Sequence, residues 1–87
     1  MKNEITFEIK KQLGVLSERE TGWKKEINLV KWGDNPTKFD IREWDSEHKK
    51  MSKGLTLTKE EMLRVLGICA KNAKELESFF DEEEKTF

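Results

Sequence analysis

Between Ile5 and Trp44 the chain alternates apolar and polar positions three times over. Ile5, Phe7, Ile9, Lys11, Leu13 and Val15 fall on one side of an extended backbone. Thr6, Glu8, Lys10, Gln12 and Gly14 fall on the other. A period of two predicts a strand over residues 5–16 with one buried face, bent near Gly14. The polar run SERETG, residues 17–22, predicts a loop. Alternation resumes over residues 23–32, with Trp23, Lys25, Ile27, Leu29 and Lys31 on one face and Lys24, Glu26, Asn28, Val30 and Trp32 on the other. GDNPT, residues 33–37, is turn chemistry: Gly supplies positive φ, Asp and Asn bond their own backbone, and Pro fixes φ. The third run, residues 37–44, places Phe39 and Ile41 opposite Lys38, Asp40, Arg42 and Trp44. After the polar connection DSEHKKMS, the segment KGLTLT predicts a short fourth strand with Leu55 and Leu57 inward.

The period then changes. Met62, Leu66, Cys69, Ala73, Leu76 and Phe80 form one helical stripe, widened by Leu63, Val65, Ala70 and Phe79. Thr58 and Glu61 have capping-box spacing. The expected helix starts at Thr58, reaches at least Ala73 and ends near residue 80. The fold class is therefore α+β, four antiparallel strands and one C-terminal α-helix (β-β-β-β-α). Residues 1–80 form a single domain, and 81–87 an acidic tail expected to be disordered. The stripe is too wide for one four-stranded sheet, so a two-fold homodimer through the C-terminal helix is expected. Gly67 inside the helix marks a close crossing in that interface.

Charge changes this picture only when it is localised. The 87 residues carry a net charge of −1, but the six acidic residues from Glu75 onward mask a body of 74 residues with 16 basic and 12 acidic side chains. Charged residues at 40% make a polar chain, yet three Trp and five Phe argue against disorder. Cys69 is alone, which excludes a disulfide framework within one chain. No signal peptide and no membrane-spanning run is read, so a cytoplasmic protein is expected, nucleoid-associated if bacterial.

If Ile27, Leu29, Phe39 and Ile41 face the helix, the opposite face presents Glu26, Asn28, Val30, Trp32, Lys38, Asp40, Arg42 and Trp44. A register with Trp32 opposite Lys38, Asn28 opposite Arg42 and Glu26 opposite Trp44 is expected. Aromatics interleaved with cations suit single-stranded nucleic acid, whose bases stack on ring faces while cations follow the phosphates. On the residues alone two readings stay open. The rings are stacking platforms, or they are half-buried beneath a loop or a partner.

The segments GWKKEINLVKW, PTKFDIREW and DSEHKKMSKGLTLTKEE occur in an order and spacing that resemble the positive cofactor four family of transcriptional coactivators, and most closely its short bacterial YdbC-type branch. The resemblance covers about residues 5–68. It implies a strongly curved sheet, dimerisation, and channels that hold single-stranded DNA. It also implies roles by position. Arg42 is the DNA-facing arginine of the DIR segment; Trp32 and Trp44 are aromatics ending two strands. Lys24, Asn28 and Lys38 share their face, and Lys53 is a basic residue near the nucleic acid. Trp23 either flanks the channel or seals the edge of the core. Longer members carry a second aromatic where this chain has Asp45, and a basic, serine-rich arm where only four residues precede the first strand.

The expected activity is low-specificity binding of single-stranded DNA, with RNA as an open alternative, in a coactivator-like or replication and repair role that engages transcription machinery. The rival reading is a protein-interaction module using the exposed Trp face. No enzyme, cofactor or metal site is expected: nucleophile–base pairs and phosphate-cradling glycine loops are missing, and His48 is read as a solvated loop histidine. Cys69, Met51 and Met62 are read as packing residues.

Overall fold

The computed structural model describes residues 6–85. Strands β1 (Phe7–Glu18), β2 (Lys24–Trp32), β3 (Lys38–Trp44) and β4 (Leu55–Leu57) form one antiparallel sheet in the order β1-β2-β3-β4. Helices α1 (Lys59–Lys71) and α2 (Ala73–Lys85) follow. Ile5, expected to open the first strand, lies outside the described residues.

The four strands are where alternation placed them, but β1 does not keep a strict period. Register shifts fall between Ile9 and Lys11, Gln12 and Gly14, and Val15 and Ser17. Phe7 and Ile9 pair with Trp32 and Val30, whereas Lys11 pairs with Leu29 and Val15 with Glu26. Each extra residue moves the following side chains to the other face and bends the strand. Val15, expected on the buried face, is more than half exposed.

Across the β2–β3 hairpin the pairs are Lys24–Trp44, Glu26–Arg42, Asn28–Asp40 and Val30–Lys38. This register is two residues from the expected one. The faces survive because the side-chain period is also two. The slip has a local cause: Gly33 adopts φ 55°, Asn35 N–H donates to the Trp32 carbonyl at 2.9 Å, and Trp32 pairs with Phe7 of β1 instead of with β3.

The faces themselves are the reverse of expectation. Glu26, Asn28, Val30, Asp40 and Trp44 are buried, whereas Ile27, Leu29, Phe39 and Ile41 are only half-buried. The bent β1 and the segment 45–54 enclose the even-numbered face, which we call the inner face. The helices cover little: α1 touches β3 and β4, and among the described residues α2 touches only α1.

Thr58 caps α1 as its spacing predicts. Glu61 N–H donates to Thr58 Oγ1 at 3.1 Å, and Thr58 N–H to Glu61 Oε1 at 2.9 Å. The single helix expected is two, because Asn72 leaves helical geometry at φ −106°, ψ 12°. Its Nδ2 donates to the Ile68 carbonyl at 2.8 Å, the competition for backbone acceptors that makes Asn a helix breaker. The acidic stretch expected to be disordered is helical as far as Lys85. No residue of α1 is buried; Leu66, Ile68, Phe79 and Phe80 are more than half exposed. Cys69, expected in the core, is exposed too. The radius of gyration, 16.1 Å, exceeds the roughly 12 Å of a compact domain of this length.

Gly54 enters β4 against β3 so closely that a Cβ would strike Arg42 Cβ and the Ile41 carbonyl. Gly54→Ala is expected to lower stability by about 1–3 kcal/mol, read as a lower urea midpoint.

Candidate nucleic-acid interface

β2 and β3 bring Lys24, Asn28, Trp32, Lys38, Arg42 and Trp44 to one face, as alternation predicts. What they do there differs residue by residue.

Trp44 is not an open platform: it is 0% exposed. Phe7 lies 5.1 Å from it between ring centroids, Trp32 6.5 Å and nearly parallel, and His48 5.7 Å. Trp32 is half-buried at the edge of this cluster. One of its flanks carries the Arg42 guanidinium, 4.6 Å from the ring centroid, a cation–π contact.

Arg42 is neither solvated nor free. Its Nε donates to Asp40 Oδ1 at 2.8 Å and its Nη2 to Oδ2 at 2.9 Å. Nη1 donates to the Ser52 carbonyl at 3.1 Å. The Asp40 side chain is 0% exposed and that of Arg42 12%. A planar fork against a carboxylate at this depth is a structural clamp. It joins β3 to the segment leading into β4 and to the Trp32 ring.

Asn28 is fully buried, and its Nδ2 donates to Glu26 Oε1 at 3.0 Å. Glu26 also meets His48 Nε2, 3.0 Å from both carboxylate oxygens. The solvated histidine of the sequence reading is thus a half-buried partner of a buried carboxylate. Alternation gives no hint of this, because the contact spans 22 residues and depends on how the loop folds back. Asn28 Oδ1, Trp32 Nε1 and Trp44 Nε1 are buried and have no hydrogen-bond partner among the described residues.

Charge on the inner face is therefore compensated: Arg42 by Asp40, with Glu26 held between Asn28 and His48. Unpaired cations sit around it. Among the described residues no hydrogen bond or ion pair engages the side-chain ammonium of Lys24, Lys38 or Lys53, although the Lys53 carbonyl accepts from Ser52 Oγ at 2.9 Å. Lys24 stands beside Trp44 at one end of the hairpin and Lys38 beside Val30 at the other. Lys53 is exposed, in the loop before β4 instead of within a strand. Trp23 is set apart: it precedes β2, and Arg19 covers its ring at 5.9 Å while pairing with Glu43 at 2.7 Å. It shares this outer cluster with Glu43 and not the face of Trp32.

The turn between β3 and β4 is tied by Asp45, whose Oδ1 accepts the N–H of Lys49 at 2.8 Å and of Lys50 at 3.0 Å. The Lys50 N–H foremost, then that of Lys49 and nearby positive charge, hold the Asp45 carboxyl below the usual aspartate range against a partial opposing effect of desolvation. Among the described residues no group of three or more His, Cys, Asp or Glu could hold a metal ion, and no helix is long and apolar enough to cross a membrane.

A family model for Transcriptional Coactivator p15 (PC4) matches residues 19–68, more than half of the chain. A protein of Treponema pallidum (strain Nichols), described as uncharacterized, is 36% identical over 61 residues, covering 70% of this chain and 72% of that protein. The chain belongs to the PC4 family. PC4 is known as a single-stranded-DNA-binding coactivator fold. The matched PC4 segment contains β2, β3, β4 and most of α1, hence the whole inner face except what β1 adds.

Two outcomes follow from this geometry. Asp40→Ala strands a buried guanidinium and is expected to cost about 3–5 kcal/mol in denaturant unfolding, whereas Asp40→Leu with Arg42→Met, removing both charges, costs less. For Asp45, a folded pKa below the unfolded one means that its contribution is complete above the unfolded value of about 4 and is lost as pH falls through the lower folded value. The Lys49 and Lys50 amide resonances are expected to keep their hydrogen-bonded shifts until the pH drops below 4.

Proposed function

We propose that this protein binds single-stranded DNA, with little sequence preference, as a homodimer formed through its helices. The observation that carries the reading is the distribution of charge around one aromatic edge. Trp32 is the partly open ring on a charge-compensated floor, and the unpaired cations Lys24 and Lys38 stand at opposite ends of the same hairpin face. Paired strands about six residues long separate those cations by roughly 20 Å, a span that suits several nucleotides. Phosphates are drawn to the rim while a base stacks at Trp32. Arg42 orients that ring from within instead of meeting phosphate itself.

PC4 membership supports the same reading. Dimerisation is supported by the uncovered stripe of α1 and α2, since contiguous apolar surface of this kind marks an interface. A protein-interaction module built on an exposed pair of tryptophans is less well supported, because Trp44 is sealed. Binding to RNA belongs to the same proposal as an extension that stacking chemistry allows; engagement of transcription machinery is part of the proposal through PC4 membership alone.

Titration with a short oligothymidine is expected to quench tryptophan emission, and the affinity to fall with rising salt at a slope of about −0.7 per phosphate neutralised. Trp32→Ala should weaken binding by about 1–3 kcal/mol; because the ring packs on Phe7, Trp44 and Arg42 it also lowers the unfolding midpoint, so affinities are compared well below that midpoint. Salt-independent binding, or none, would refute the proposal. Sedimentation is expected at twice the 10.3 kDa chain mass, and Ile68→Glu should return it to the monomer.

A further inference from the structure

We infer that the turn 45–50 is a lid over Trp44, and that it opens when nucleic acid binds so that Trp44 joins Trp32 as a stacking surface. The inference rests on the single-strand reading above. Four observations carry it.

First, of the three rings that pack around Trp44 among the described residues, Phe7 and Trp32 belong to strands, and His48 belongs to a loop. Removing that loop is the way to uncover the indole without breaking the sheet. Second, the turn is bound to the inner face mainly through one polar contact, His48 Nε2 to the Glu26 carboxylate. Such a contact exchanges readily with water, unlike interlocked apolar packing. Third, the turn is closed upon itself. The Asp45 carboxylate holds the Lys49 and Lys50 amides, Asp45 N–H donates to the Lys50 carbonyl at 3.1 Å, and His48 N–H donates to the Asp45 carbonyl at 3.0 Å. It can swing as a unit about the Trp44–Met51 bridge, while Ser52 stays fastened to Glu43 and Arg42.

Fourth, the closed state leaves polar groups unpaired; the φ of 58° at His48 belongs to the turn itself and is kept when the turn swings. Beneath the lid, Trp44 Nε1 is a buried donor with no acceptor among the described residues, and the neighbouring Trp32 Nε1 and Asn28 Oδ1 are likewise unpaired among them. A permanent core satisfies such groups. A face that meets a ligand rich in carbonyl and amine groups leaves them for that ligand.

The closed lid lowers apparent affinity by the fraction of molecules that are open. His48→Gly removes the ring and the Glu26 contact and suits the left-handed backbone, so it shifts the population toward open. The decisive measurement is fluorine NMR of the full chain labelled with 5-fluorotryptophan, the three resonances assigned by Trp→Phe substitution and followed during oligothymidine titration. Movement of both the Trp32 and Trp44 resonances is expected. In His48→Gly the free-state Trp44 resonance should already lie toward its bound position, and the oligonucleotide should bind at least about threefold more tightly. A Trp44 resonance that stays fixed while Trp32 saturates would overturn the lid and leave single-strand binding intact, as would unchanged or weaker binding by a folded His48→Gly. If no resonance responds at any salt concentration, the binding reading fails and the lid fails with it. The wild-type titration decides between these outcomes even if His48→Gly does not fold.

Discussion

The inner face of this sheet depends on the ion pair between Asp40 and Arg42. Two residues apart on β3, they meet through a two-pronged hydrogen bond in a place where water hardly reaches. The pair leaves Arg42 two further duties, a donor to the Ser52 carbonyl and a cationic cap on Trp32. One guanidinium thereby fixes the strand it comes from, the start of the segment into β4, and the orientation of the aromatic edge. A buried charge pair contributes less to net stability than its short distances suggest, because both ions lose their hydration. What it contributes here is definition: neither partner can move without stranding the other.

That constraint explains why a face rich in charge is the enclosed one. Glu26, Asn28, Asp40 and Arg42 are satisfied chiefly by one another and by His48, so β1 can curl over them at tolerable desolvation cost. The bulges in β1 supply the bend. The apolar residues of the opposite face are then only half-buried, and among the described residues much of the apolar stripe of α1 and α2 is left exposed. The exposed apolar stripe of α1 and α2 is the physical basis for proposing a dimer.

Much of this was legible in the residues. Period-two runs mark β1 to β3, GDNPT marks the hairpin turn, KGLTLT marks β4, and Thr58 with Glu61 marks the start of α1. Family membership was legible too, because the resemblance rested on three spaced segments and not on one short motif. The break at Asn72 had a local signal, a side chain that competes for helix carbonyls, but that signal is weak beside a continuous apolar stripe. The role of His48 had none, since nothing near it in the chain refers to Glu26.

The sequence by itself determined which residues share a face. Alternation of side chains about an extended backbone is a covalent and steric property of the strand, indifferent to register slips of two and to what lies above the sheet. Only the tertiary structure decided which face is inside. That choice belongs to curvature, to bulges and to a loop folding back across 22 residues, all of which weigh burial of charge against pairing of charge over distances the local pattern does not encode. Trp32 and Trp44 are equivalent as letters in an alternating run. They differ in the molecule because a histidine ring closes over one and leaves the edge of the other to solvent.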